Sequence, residues 1–185
     1  MSQPTPERPA RYQRSTGGLI GALVITLVVI TAFVLLRALN RTDLEVHPDP
    51  VDYRAAVVAL QETGQRPVYP RALPAGWTAT SVDVPRGDQR DWGIGMLTDT
   101  GGFVGVQQSV EPLGDLLETY VDQDTTEGDP IRVDGSVAGT WRSFSDSGGD
   151  RAYAAEVGDW TVLVYGSAPD ADLREVVSGL TTDPA

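Results

Sequence analysis

The sequence predicts an α+β fold: an antiparallel sheet of about six strands packed with three short helices, preceded by one transmembrane helix. Three observations lead there. One apolar run near the start carries no charge, three later stretches have apolar residues at helical spacing, and six β-rich runs are separated by short Gly and Asp turns.

The chain of 185 residues reads as a short basic arm (1–16), a span (17–36), a tether (37–48) and a domain (49–185). The span "GGLIGALVITLVVITAFVLL", Gly17 to Leu36, is 20 residues long. As a helix it covers about 30 Å, the hydrocarbon thickness of a bilayer. A cleavable signal peptide has a shorter apolar core and a small-x-small cleavage site, whereas "RALNRT" follows here and offers none. An uncleaved signal anchor is therefore expected. Arg8, Arg11 and Arg14 precede the span while Arg37 and Arg41 follow it. The positive-inside rule then puts the arm in the cytoplasm and the domain outside the plasma membrane.

Charge separates along the same line. Residues 1–41 carry five Arg and one acid, 5 − 1 = +4, and the remaining 144 carry nine Arg and 25 acids, 9 − 25 = −16, which together give the net −12. So acidic a domain repels phosphate backbones, and no nucleic-acid partner is expected. There is no Cys, no Lys and one His, His47. Disulfides, thiolate metal sites, Schiff bases and a Walker phosphate loop are excluded.

After the tether, "DPVDYRAAVVALQETG" reads as a helix with Asp49 as cap, Pro50 at its first position, Asp52 in its first turn and Gly64 as its stop. Tyr53, Ala56, Val57 and Leu60 share one face. Pro67, Pro70 and Pro74 in "RPVYPRALP" break that helix before the sheet, and Pro74 to Gly76 form a turn. Tyr69 and Trp77 are expected as an apolar staple beneath the turn, with a ligand groove as the other use of the same rings. Strands are expected at 78–84, 92–98, 103–110, 140–145, 152–157 and 160–165. The last is apolar on both faces and so central. A second helix shows Leu113, Leu116, Leu117 and Tyr120 on one face. A third shows Leu173, Val176, Val177 and Leu180, with Ser167 and Asp170 spaced as a capping box around Pro169.

No catalytic group assembles from these residues. His47 sits in "EVHPDP", a proline-flanked tether without the fixed neighbours a general base needs. "DQDTTEGD", Asp122 to Asp129, matches two calcium-loop ligand positions but has Glu127 where Gly is needed and Val133 where the bidentate Glu belongs. It reads as a solvated acidic loop. Paired carboxylates for glycoside hydrolysis remain an open alternative, because their spacing in space is not legible. No cofactor is expected.

Taken together, "RYQRSTGGLIGAL", "PVDYRAAV", "YPRALPAGW", "WGIGMLTDTGGFVGVQQS" and "GSAPDADLREVVSGL" resemble a family of actinobacterial membrane-anchored proteins known only as domain of unknown function 4245. That resemblance implies membrane localisation and no known activity. The sequence thus points to a non-enzymatic, single-pass protein whose extracytoplasmic domain binds another envelope protein. The alternative is a carrier or sensor of a lipid or small apolar ligand, and the third reading is an envelope hydrolase. Tyr69, Trp77, Leu117, Tyr120, Trp160 and Val177 are the candidate ligand or packing face.

Overall fold

The structure, a computed structural model, describes residues 21, 23–31, 33, 49–87 and 90–185. The chain divides into two units, Met1–His47 and Pro48–Ala185. The arm 1–16 and the tether 37–48, His47 included, lie outside the described residues, as does part of the expected span 17–36. The described residues of that span are helical, and Leu23, Ile25, Leu27 and Phe33 are exposed on it. No helix among the described residues is long and apolar enough to cross a membrane.

The second unit is α+β. Its helices are α1 (Tyr53–Glu62), α2 (Leu113–Tyr120) and α3 (Asp170–Gly179). Its strands are β1 (Tyr69–Pro70), β2 (Thr78–Asp83), β3 (Trp92–Leu97), β4 (Phe103–Ser109), β5 (Thr126–Arg132), β6 (Thr140–Ser145), β7 (Arg151–Val157), β8 (Trp160–Gly166) and β9 (Leu180–Thr181). Seven strands form one antiparallel sheet in the order β2-β3-β4-β8-β7-β6-β5, and β1 pairs with β9 as a separate ribbon. The expected six strands become seven because Thr126–Arg132, expected within a solvated loop, pairs with β6 as an edge. Its Pro130 and the register shift between Gly128 and Ile131 suit an edge, where a missing donor and a bulge discourage further pairing.

Strand β8 is fourth of seven, the central place expected from its two apolar faces. Val162 and Val164 face a first core with Tyr53, Val57 and Leu60 of α1 and Leu173, Val176 and Val177 of α3. Leu163 faces a second, smaller core with Leu116 and Leu117 of α2, Phe144, Ala152 and Ala154. Helices thus pack on both faces of the sheet.

Two helix starts differ from expectation. Helix α1 is capped by Asp52, whose carboxylate accepts from Ala55 N at 3.2 Å, and not by Asp49. Val51 N instead donates to Ala79 O at 2.9 Å, so the preceding chain lies along the edge of β2. At α3 no side-chain cap forms. Ser167 Oγ accepts from Phe103 N at 3.3 Å, and Asp170 is drawn to Tyr153 and Arg174. Both side chains found stronger tertiary partners than the helix end offers.

Candidate interaction surface

The six residues singled out from sequence fall in three places. Tyr69 and Val177 are buried in the first core, with Trp77 packed against it; the Tyr69 ring lies 6.5 Å from that of Tyr53 and its hydroxyl donates to Asp183 O at 2.8 Å. Leu117 and Tyr120 belong to the opposite face of the sheet, in and against the second core. Trp160 is half-buried at one end of the sheet. The structure therefore does not gather the six into one site.

Trp160 lines a cleft of about 300 Å³ with Thr63 to Pro67, Arg90, Trp92 and Gln108. The Arg90 guanidinium stands 5.5 Å from the Trp160 ring centre, a cation–π distance. The cleft floor is internally satisfied. Gln108 Oε1 accepts from Val68 N at 2.7 Å, its Nε2 donates to Arg66 O at 3.3 Å, and Trp92 Nε1 donates to Val68 O at 2.8 Å. These bonds hold the proline-rich segment against the sheet, which is what "VYPRALPAGW" needs where its own prolines lack donors.

A second cleft, of about 260 Å³, holds Asp129 and Asp170 with Ser143, Ser145, Arg151, Tyr153 and Arg174. Two carboxylates in one cleft are what a glycosidase requires, but the acid of such a pair must hold its proton. Burial raises the Asp170 carboxyl; hydrogen bonds from Tyr153 and Arg174 and the charges of Arg174 and Arg151 outweigh it and hold it below the ordinary range. Arg174 Nε lies 2.7 Å and Arg151 Nη1 3.7 Å from its oxygens. Tyr153 is pushed up to about 12, by burial first and then by Asp170. This is an ionic clasp between β7 and α3, with Asp170 held as an anion.

The remaining surface is the second face of β2, β3 and β4. One row across it runs Ser81, Gly95, Gly105, Tyr165, and the next runs Asp83, Gly93, Gln107, Leu163. Three glycines leave the middle of this face without side chains. The Tyr165 ring lies over Gly105, the Ser81 hydroxyl with the Phe103 ring beside it over Gly95, and the Gln107 amide over Gly93, each where a β-carbon would stand. Tyr120 at the end of α2 packs 5.0 Å from Tyr165, which packs 5.9 Å from Phe103. Gly93, Gly95, Gly105 and Gln107 are all buried beneath these side chains, while Ser81 and Asp83 on the β2 edge are exposed. Burial raises the Tyr120 hydroxyl, and the charges of Asp83, Asp91 and Glu111 raise it further. Among the described residues, no group of three or more His, Cys, Asp or Glu is placed to hold a metal ion. Sequence reasoning passed over this face because its signal is the glycine alternation in "WGIGM" and "FVGVQ", which reads simply as strand.

No curated protein matches the chain. Among solved structures, a chain titled "The complex structure of Pseudomonas aeruginosa MucA/MucB" is similar over 64% of this chain and 35% of that one, at 16% identity and a TM-score of 0.34. This chain therefore spans about a third of that chain's length, and a likeness of that score carries no argument. The model of the family "Protein of unknown function (DUF4245)" matches residues 11–180, nearly the whole sequence, and the chain belongs to that family.

Proposed function

We propose that this is a non-enzymatic, single-pass protein of the plasma membrane whose extracytoplasmic domain docks another protein of the cell envelope. The observation that carries the reading is the β2 side of the second face, where Ser81 and Asp83 are exposed beside the half-buried rings of Phe103, Tyr165 and Tyr120. Half-buried aromatic rings beside exposed polar groups supply contact area to another protein at small entropy cost. Anchoring is supported by the uncharged run Gly17 to Leu36 and by the exposed apolar side chains of its described helical residues. The carrier alternative finds less support, because both described clefts are lined largely by polar residues.

Extraction of the full chain with its surrounding bilayer in polymer discs, followed by native mass spectrometry, tests this. A second polypeptide retained in stoichiometric ratio is expected. A bare chain, or one carrying a lipid that survives stripping of the disc, would overturn the docking reading. A reporter fused at Ala185 that is active only outside the cytoplasm is expected, and one active only inside would overturn the orientation.

A further inference from the structure

Of the nine Arg in residues 42–185, four hold carboxylates: Arg71, Arg142, Arg151 and Arg174. Arg66 and Arg90 enter no ion pair among the described residues, and both line the cleft beside Trp160. They arrive from different parts of the chain. Arg66 stands on the wall that follows α1, where Gly64 at φ +83° turns the chain and Pro67 bars a return to helix. Arg90 lies just before β3, with its guanidinium 5.5 Å from the centre of the Trp160 ring. The Gln108 amide, bonded to Arg66 O at 3.3 Å, ties that wall to the sheet. No carboxylate lines this cleft, although residues 42–185 carry 25 acids. Asp91 and Asp159, the chain neighbours of Arg90 and Trp160, are not among its walls. Two guanidiniums are thus gathered in one concavity of a domain whose net charge is −16, with no described acid there to offset them.

We propose that this cleft binds a small organic anion that carries one carboxylate on a hydroxyl-bearing ring, an acidic sugar, with Arg66 and Arg90 holding the carboxylate and the Trp160 indole against the ring. Trp92 at the cleft belongs to the first core, so the site lies on the first face of the sheet and is independent of the docking surface on the second. A guanidinium is a planar fork of donors that matches a carboxylate, and one stacked on an indole keeps its edge donors free for that bond. The cleft's volume of about 300 Å³ is at the small end for ligand sites, which suits one ring and not a chain. Thr63, Gln65 and Gln108 make its lining polar, as a hydroxyl-bearing body requires, and the half-buried indole offers one apolar surface for C–H groups. The −16 field favours a single negative charge over a double one, since a phosphate dianion is repelled about twice as strongly.

The test is a titration of the full chain, labelled with ¹⁵N at its indole nitrogens and held in a phosphatidylcholine nanodisc, with D-glucuronate as the probe and neutral glucuronamide as the control. The Trp160 signal is identified as the one missing from Trp160→Phe. It is expected to move saturably with glucuronate while the signals of Trp77 and Trp141 stay, and glucuronamide should bind more weakly by about five-fold or more. Arg66→Gln and Arg90→Gln should each weaken glucuronate by about three-fold or more. Arg132→Gln, at an exposed position on the far edge strand β5, should leave it unchanged. No saturable shift, an equal response to glucuronamide, tighter binding of inorganic phosphate or of the peptide Ac-Gly-Glu-Gly-NH2, or an equal loss in Arg132→Gln would overturn the proposal.

Discussion

Tyr165 lies across Gly105, its strand partner on β4, with the phenol ring filling the space a β-carbon there would need. Gly93 stands in the same relation to Gln107, and Gly166, at φ +148°, to the backbone carbonyl of Phe103. The three differ in what must move to admit a methyl group: a flexible amide tip, a packed ring, or main chain. Alanine substitutions should therefore rank in cost as Gly93 least, Gly105 about 1–3 kcal/mol, and Gly166 at the top of that range or above it, where backbone strain adds. Urea unfolding midpoints of the three variants check the order.

The proline-rich segment hangs on one amide. Gln108 is buried and bonds both Val68 N and Arg66 O, so Gln108→Met keeps its length but leaves the buried Val68 N–H unmade. A loss of about 1–3 kcal/mol is expected. Faster hydrogen exchange at Val68 than in the wild type is the local sign that separates this from general destabilisation.

The clasp at Asp170 gives stability a defined pH dependence. Its carboxyl is held below the ordinary range in the folded state, so its contribution is complete above the unfolded carboxylate pKa of about 4 and is lost as pH falls through the folded value. Asp170→Asn should cost about 1 kcal/mol at pH 7, since the pair is partly exposed, and the gap to wild type should close as pH falls through the folded carboxyl's lowered range. At the alkaline end the sign reverses. Tyr153 and Tyr165 are raised to about 12, both by burial first, so their stabilisation is present below pH 10 and lost as pH climbs toward 12. Absorbance at 295 nm should show two tyrosines ionising late, and Tyr153→Phe should remove one.

Strand β5 ends the sheet with Pro130 and a bulge. Pro130→Thr restores a donor on that edge and should produce concentration-dependent self-association, read by sedimentation velocity, with little change in the monomer's unfolding midpoint. A variant that stays monomeric at millimolar concentration would contradict the edge assignment.

Much of the domain was legible because its pattern is strong. Each of the six expected strands is present within a residue or two of its predicted bounds, and Trp160 to Tyr165 advertised its central position by being apolar on both faces. Strand β5 was not legible because "TEGDPIR" has charges, a Gly and a Pro where alternation would be sought; an edge with no second neighbour and little buried surface needs no apolar alternation. The two-residue strands β1 and β9 are too short to carry any period. Asp49 and Ser167 satisfied local capping rules, but tertiary contacts decided both helix starts. The glycine face escaped for a different reason: its meaning lies in β3 and β4 placed side by side, and each strand alone shows only ordinary glycines.

The central claim is that the second face of β2–β4 meets another envelope protein. Photocrosslinking in intact cells tests it most directly, with the crosslinking residue placed singly at Ser81 on that face and at Val58, exposed on α1. The account predicts one discrete crosslinked species of defined mass from Ser81 and none from Val58. Equal crosslinking from both positions, or a discrete species from Val58 alone, would contradict it.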